Sequence, residues 1–84
     1  MKTHELKILP EFFEDVVSGR KTFEVRLNDR NYKVRDNLIL REWKDGAYTG
    51  RKITKRVIYL LDDPAYCKEG FVILGLRSVK EKAR

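Results

Sequence analysis

The chain has 84 residues, room for one domain around one core, and a domain of this size buries only about 60–65% of its unfolded surface. Its 42% hydrophobic and 11% aromatic content exclude a disordered basic tail, and no apolar run approaches the ~18 residues that cross a membrane. A formal charge of +6 and a pI near 9.6 point to an anionic partner such as nucleic acid, a nucleotide or an acidic protein, although many small proteins are basic for solubility alone.

Met1 to Glu5 opens no signal peptide, so a soluble, cytoplasmic protein is expected. Glu5 to Leu9 alternates polar and apolar residues and reads as a first strand with Leu6 and Ile8 inward. Pro10 suits the first turn of a helix, and Phe12, Phe13, Val16 and Val17 make one apolar stripe. Acidic Glu11, Glu14 and Asp15 precede basic Arg20 and Lys21, in the sense of the helix dipole. Gly19 is placed to stop the helix in a left-handed cap, giving a helix over about 10–18.

Thr22 to Leu27 alternates again, with Phe23, Val25 and Leu27 on one face and Thr22, Glu24 and Arg26 on the other. Turn-rich breaks fall at Asn28-Asp29-Arg30-Asn31 and at Asp36-Asn37. Leu38 to Trp43 reads as a central strand ended by Asp45-Gly46, a hairpin turn signal. Ile53 to Leu61 is a long strand stopped by Asp62-Asp63-Pro64. Phe71 to Leu76 is nearly all apolar, as in a strand covered on both faces. One helix and five strands bury these positions most economically as a small curved sheet or partly closed barrel plugged by the helix, an α+β fold. The domain is expected over 1–78, with a charged tail at 79–84.

Lone Cys67 and lone His4 make neither a disulfide nor a metal-ligand set, so no metal and no cofactor is expected. Cys67 reads as a small core or loop residue, and His4 as structural or solvent-facing.

Chemistry concentrates between Gly19 and Arg26, where Lys21, Thr22, Glu24 and Arg26 gather at a helix–strand corner. Arg26 suits a phosphate or carboxylate fork, Lys21 a mobile point charge, and Glu24 an acceptor for a base edge or a brace for Arg26. The plainer reading is a solvated strand face carrying a surface salt bridge worth under ~1 kcal/mol. Gly-x-Lys-x-x-Glu-x-Arg after an early amphipathic helix resembles the signature of the ASCH domain, part of the PUA-like superfamily. Pro10, Phe12 or Phe13, Val17, Gly19, Lys21, Glu24 and Arg26 match that pattern, and the similarity extends over nearly the whole chain. It implies a small PUA-like β-barrel of about five strands beside one helix, with Lys21, Glu24 and Arg26 in a cleft that binds RNA or a modified nucleotide. Where relatives often carry Gly-Asp in a tight turn, this chain has Arg35-Asp36-Asn37, so the turn either uses Asn37 for any positive φ or adopts another shape.

A second basic and aromatic patch is expected from Trp43, Tyr48, Arg51, Lys52, Lys55 and Arg56, near Tyr59. Such residues stack on unpaired bases while neutralising phosphates, or serve as rim residues and edge-strand gatekeepers. Three functions follow. The first is an RNA- or nucleotide-binding module. The second is implied by similarity to small ASCH-like amidohydrolases that deacylate a modified cytidine, with Lys21 and Glu24 as the catalytic residues. Glu24 stands there where those enzymes have threonine, and Glu69 is a weak substitute for their distant carboxylate. The third is a protein-interaction or regulatory domain.

Overall fold

The first alternating segment forms β1 (Thr3–Ile8), which buries His4 as well as Leu6 and Ile8. This computed structural model describes residues 1–79, so the tail expected at 79–84 lies, beyond Val79, outside the described residues. Pro10 opens α1 (Pro10–Val17) after an extended Leu9. Of the expected stripe only Phe13 and Val16 are buried, because a helix of two turns presents one narrow strip to the sheet. Phe12 and Val17 remain exposed. Gly19 ends the helix at φ +86°, its N–H donating to the Val16 carbonyl at 3.1 Å, as its sequence position implies.

The remaining strands are β2 (Phe23–Leu27), β3 (Asn37–Lys44), β4 (Ala47–Leu61) and β5 (Phe71–Ser78), and all five form one sheet in the order β1-β3-β4-β5-β2. β1 runs parallel to β3, and every other pair is antiparallel. The sheet curls into a half-barrel, and with α1 this makes a small α+β, barrel-like fold. Leu38, Leu40, Val57, Val72 and Leu74 meet Phe13 and Val16 in the core. No helix among the described residues is long and apolar enough to cross a membrane.

Two local expectations are corrected and one open alternative is decided. β4 begins at Ala47, not Ile53, because the two-residue turn Asp45-Gly46 (φ +53° and +83°) sends the chain straight back along β3. Its first residues carry no apolar alternation and owe their extended form to pairing alone. β5 is not covered on both faces: Val72, Leu74 and Leu76 are buried, while Phe71 and Ile73 on the other side are only partly so. Finally, Arg35 rather than Asn37 adopts the left-handed backbone, at φ +85°. Asn37 instead starts β3, and its Oδ1 accepts from Arg56 Nε at 3.0 Å.

Asp36 holds that strained corner. Its fully buried carboxylate accepts from the Lys2 N–H at 2.9 Å, the Lys33 N–H at 3.0 Å and His4 Nε2 at 2.8 Å. Its own carbonyl accepts from the Val57 N–H at 2.8 Å. One residue thereby joins β1, the loop before β3, and β4, and the His4 ring packs edge-on against buried Tyr32 at 4.8 Å. His4 is structural. Replacing Asp36 by Asn places an amide among three donors, so Asp36→Asn is expected to lower the unfolding free energy by about 2 kcal/mol. Urea titration should show an earlier midpoint at unchanged slope.

Candidate ligand-binding cleft

β2 turns its sequence pattern inside out. Its polar residues face inward, with Glu24 only 4% exposed, while Phe23, Val25 and Leu27 stand 44%, 52% and 52% exposed. A lone buried carboxylate on an edge strand is costly unless both oxygens are paired. Both are. Lys21 Nζ donates to Glu24 Oε1, and Arg26 donates to Oε2 through Nε at 2.9 Å, with Nη2 at 2.8 Å. Lys21 Nζ also donates to the Phe23 carbonyl at 2.8 Å and lies 5.1 Å from the Phe23 ring centroid.

Arg26 has a second task. β1 and β2 are the two ends of the sheet, and Arg26 Nη2 reaches across to the Lys7 carbonyl at 2.7 Å. Arg30 Nη1 makes a parallel bridge to the Glu5 carbonyl at 3.0 Å. Side chains span the seam between the edges, and the seam opens into a cleft of about 440 Å³. Lys21, Glu24 and Arg26 line it with Lys7 and an apolar wall of Ile8, Leu9, Phe12, Phe23 and Val25.

Three of the four expected site residues are therefore brought together. Thr22 is not: it is exposed, does not line the cleft, and uses its carbonyl to accept from the Leu76 N–H at 2.9 Å. Glu24 becomes a positioning residue, since its oxygens are engaged by the two cations. Lys21 keeps one N–H and Arg26 keeps its Nη1 donors without a partner among the described residues. Glu69 is exposed in the loop before β5 and is not a cleft residue. Lys7 was missed as a site residue because its strand alternates like any other.

The second patch divides between the two faces of the sheet. Arg51 joins the helix to the hairpin, donating to Glu42 through Nε at 2.9 Å and Nη2 at 2.7 Å, and to Glu14 at 2.5 Å. Lys55 is buried and donates to Ser78 Oγ at 3.1 Å. Trp43, Tyr48, Lys52 and Arg56 belong to the opposite face, since β4 alternates between Lys55 and its neighbours. Among the described residues no group of three or more His, Cys, Asp or Glu could hold a metal ion.

Comparison with known proteins matches residues 3–76 to the family described as a domain of unknown function (DUF3850). The chain is also 44% identical over 61 residues to an uncharacterized 12.9 kDa protein in the GpA 3′ region of Escherichia phage P2. That match covers 73% of this chain and 56% of the phage protein, so the chain spans about half the length of that relative.

The buried carboxylates predict how the fold responds to acid. Hydrogen bonds from Arg51 and Thr49 outweigh burial and hold Glu42 down to about 2. Burial pushes Asp36 up, but hydrogen bonds from His4 and the Lys2 and Lys33 amides together leave it below its ordinary value. Both groups are more acidic folded than unfolded, so their stabilisation is complete above about pH 4.5 and disappears as pH falls toward 2. Urea midpoints measured at stepped pH should fall across that window, and Glu42→Gln should flatten part of the fall.

Proposed function

We propose that this chain, which belongs to the DUF3850 family, binds RNA or a nucleotide through the cleft between β1 and β2. The observation that carries the reading is the Lys21–Glu24–Arg26 cluster, whose two cations are fixed by one buried carboxylate and still present unused donors beside an apolar wall. One net positive charge, with the remaining Lys21 N–H and the Arg26 Nη1 donors, suits a phosphate. Phe12 and Phe23 supply flat apolar surface for a base. The resemblance of the Gly19–Arg26 segment to ASCH domains supports the same use of the site.

Binding is favoured over hydrolysis by the partners of Lys21. Its Nζ is already engaged by Glu24 and the Phe23 carbonyl, and Glu69 lies away from the cleft. Incubation with an acylated cytidine followed by chromatography should give no product at high protein concentration; turnover that vanishes in Lys21→Ala would replace binding by catalysis.

A protein-interaction reading has one observation of its own. Phe23, Val25 and Leu27 on β2 sit beside Gly75, Ile73 and Phe71 on β5, with Tyr59 on β4 next in register. Phe23, Val25, Leu27 and Tyr59 are exposed, a contiguous apolar face of the kind that marks a protein contact. A partner that survives nuclease treatment during purification and is lost with Val25→Asp would favour it.

The cleft reading is tested with a single nucleotide. Titration with a nucleoside 5′-monophosphate should shift the amide resonances of Lys21, Glu24 and Arg26. Arg26→Ala should weaken that binding about tenfold or more, while Lys68→Ala, away from the cleft, should leave it unchanged. Equal effects of the two substitutions would remove the cleft from the reading.

A further inference from the structure

Residues paired directly across strands hold their side chains on one face within about 5 Å, where like charges repel. The register places Lys7 opposite Arg41 and Arg41 opposite Lys52, a rung of three cations across β1, β3 and β4. Arg56, two residue pairs further along that face from Lys52, lies opposite Arg77 of β5 and forms a second rung. Against these five cations the strands of this face carry one carboxylate, Glu5, whose Oε1 lies 3.4 Å from Arg41. Arg56 also donates to Asn37 Oδ1, but none of the five is buried, and a neutral residue in place of Lys7, Lys52 or Arg77 would relieve the crowding without costing the fold a hydrogen bond between side chains.

The same face carries two aromatic rings. Trp43 pairs with Tyr48 edge-to-face at 4.9 Å. The Lys7 ammonium lies 4.0 Å from the Trp43 centroid, and the Arg41 guanidinium 3.8 Å from that of Tyr48. The second rung ends at a cleft of about 340 Å³ lined by Arg35, Arg56 and Arg77.

We infer that this outer face of β1, β3 and β4 binds single-stranded nucleic acid, a surface separate from the cleft that Lys7 borders. The rungs stand about 13 Å apart along β4, and a flexible polyanion places phosphates on both. The ring pair, with the Arg41 guanidinium over Tyr48, stacks unpaired bases. A duplex keeps its bases stacked on each other and leaves the rings unused; an acidic peptide brings charge without flat rings.

The test uses a labelled oligouridylate and oligothymidylate of about twelve nucleotides, followed by anisotropy at stepped salt. Binding should weaken with salt at a logarithmic slope of about −2 to −3.5, at ~0.7 per phosphate contact. Trp43 is the chain's one tryptophan, so its emission should change on binding. Trp43→Ala should lose about tenfold in affinity at unchanged salt slope, and Trp43→Phe should recover most of it. Lys52→Glu should lose about tenfold and make the slope shallower, while its melting temperature rises because Glu then faces Arg41. A duplex of equal length that binds as tightly, an unmoved Trp43 emission, or full binding by Lys52→Glu would overturn the inference. Loss of binding in Arg26→Ala with Lys52→Glu unaffected would assign the oligonucleotide to the cleft alone. The single-nucleotide titration is read at Lys21, Glu24 and Arg26, none of which belongs to this face, and Lys52 and Trp43 do not line the cleft, so either surface can fail without the other.

Discussion

Two strand edges face each other across this half-barrel, and guanidinium groups bridge them. β1 pairs only with β3 and β2 only with β5, so their outer edges carry unpaired backbone groups. Arg26 and Arg30 reach from the β2 side to the Lys7 and Glu5 carbonyls and supply donors there. Arg26 can do so because Glu24 fixes its Nε side, and Glu24 can be buried because Lys21 neutralises its other oxygen. The cleft follows from this arrangement: side chains span a wider gap than backbone hydrogen bonds do, and the remaining space lies beside charged groups already held in place.

Polar clamps recur elsewhere because a core of this size is small. Asp36 ties the start of β1 to β4, holding Lys2 and His4 with its buried carboxylate and the Val57 N–H with its backbone carbonyl. Arg51 ties the β3–β4 hairpin to α1 through Glu42 and Glu14, with its guanidinium 4.7 Å from the Phe13 ring. In each clamp the charged residue meets an opposite charge or a full set of hydrogen bonds. The cations of the outer face differ: apart from the Arg41–Glu5 pair and the Arg56–Asn37 hydrogen bond, they meet one another across the strands. That contrast separates residues placed for folding from residues whose placement opposes it.

Local patterns were legible wherever one element's own spacing decides the outcome. The β1 alternation, the helix opened by Pro10 and stopped by Gly19, the Asp45-Gly46 turn and the β5 apolar run all match the structure in place and type. The grouping of Lys21, Glu24 and Arg26 was legible too, since turn and strand are short and contiguous. Signals failed where the partner strand decides. Residues 47–52 lack any apolar pattern and are extended only because β3 lies beside them. The burial of His4 and Asp36 needs two segments 32 residues apart, and neither residue marks the other in sequence.

The chain by itself determined the class of fold, the order of its elements and the position of its charged corner, because helix period, strand period and turn chemistry act within a few residues. The alternation of β1 marks its interior side, but only the tertiary structure decided where that rule fails and how the strands align. On β2 it overruled the hydrophobic alternation, since two neighbouring cations make a buried Glu24 tolerable while the opposite face has no layer to cover it. Across β1, β3 and β4 it drew Lys7, Arg41 and Lys52 into one rung. Strand register is a relation between distant segments, so no reading of one segment at a time contains it.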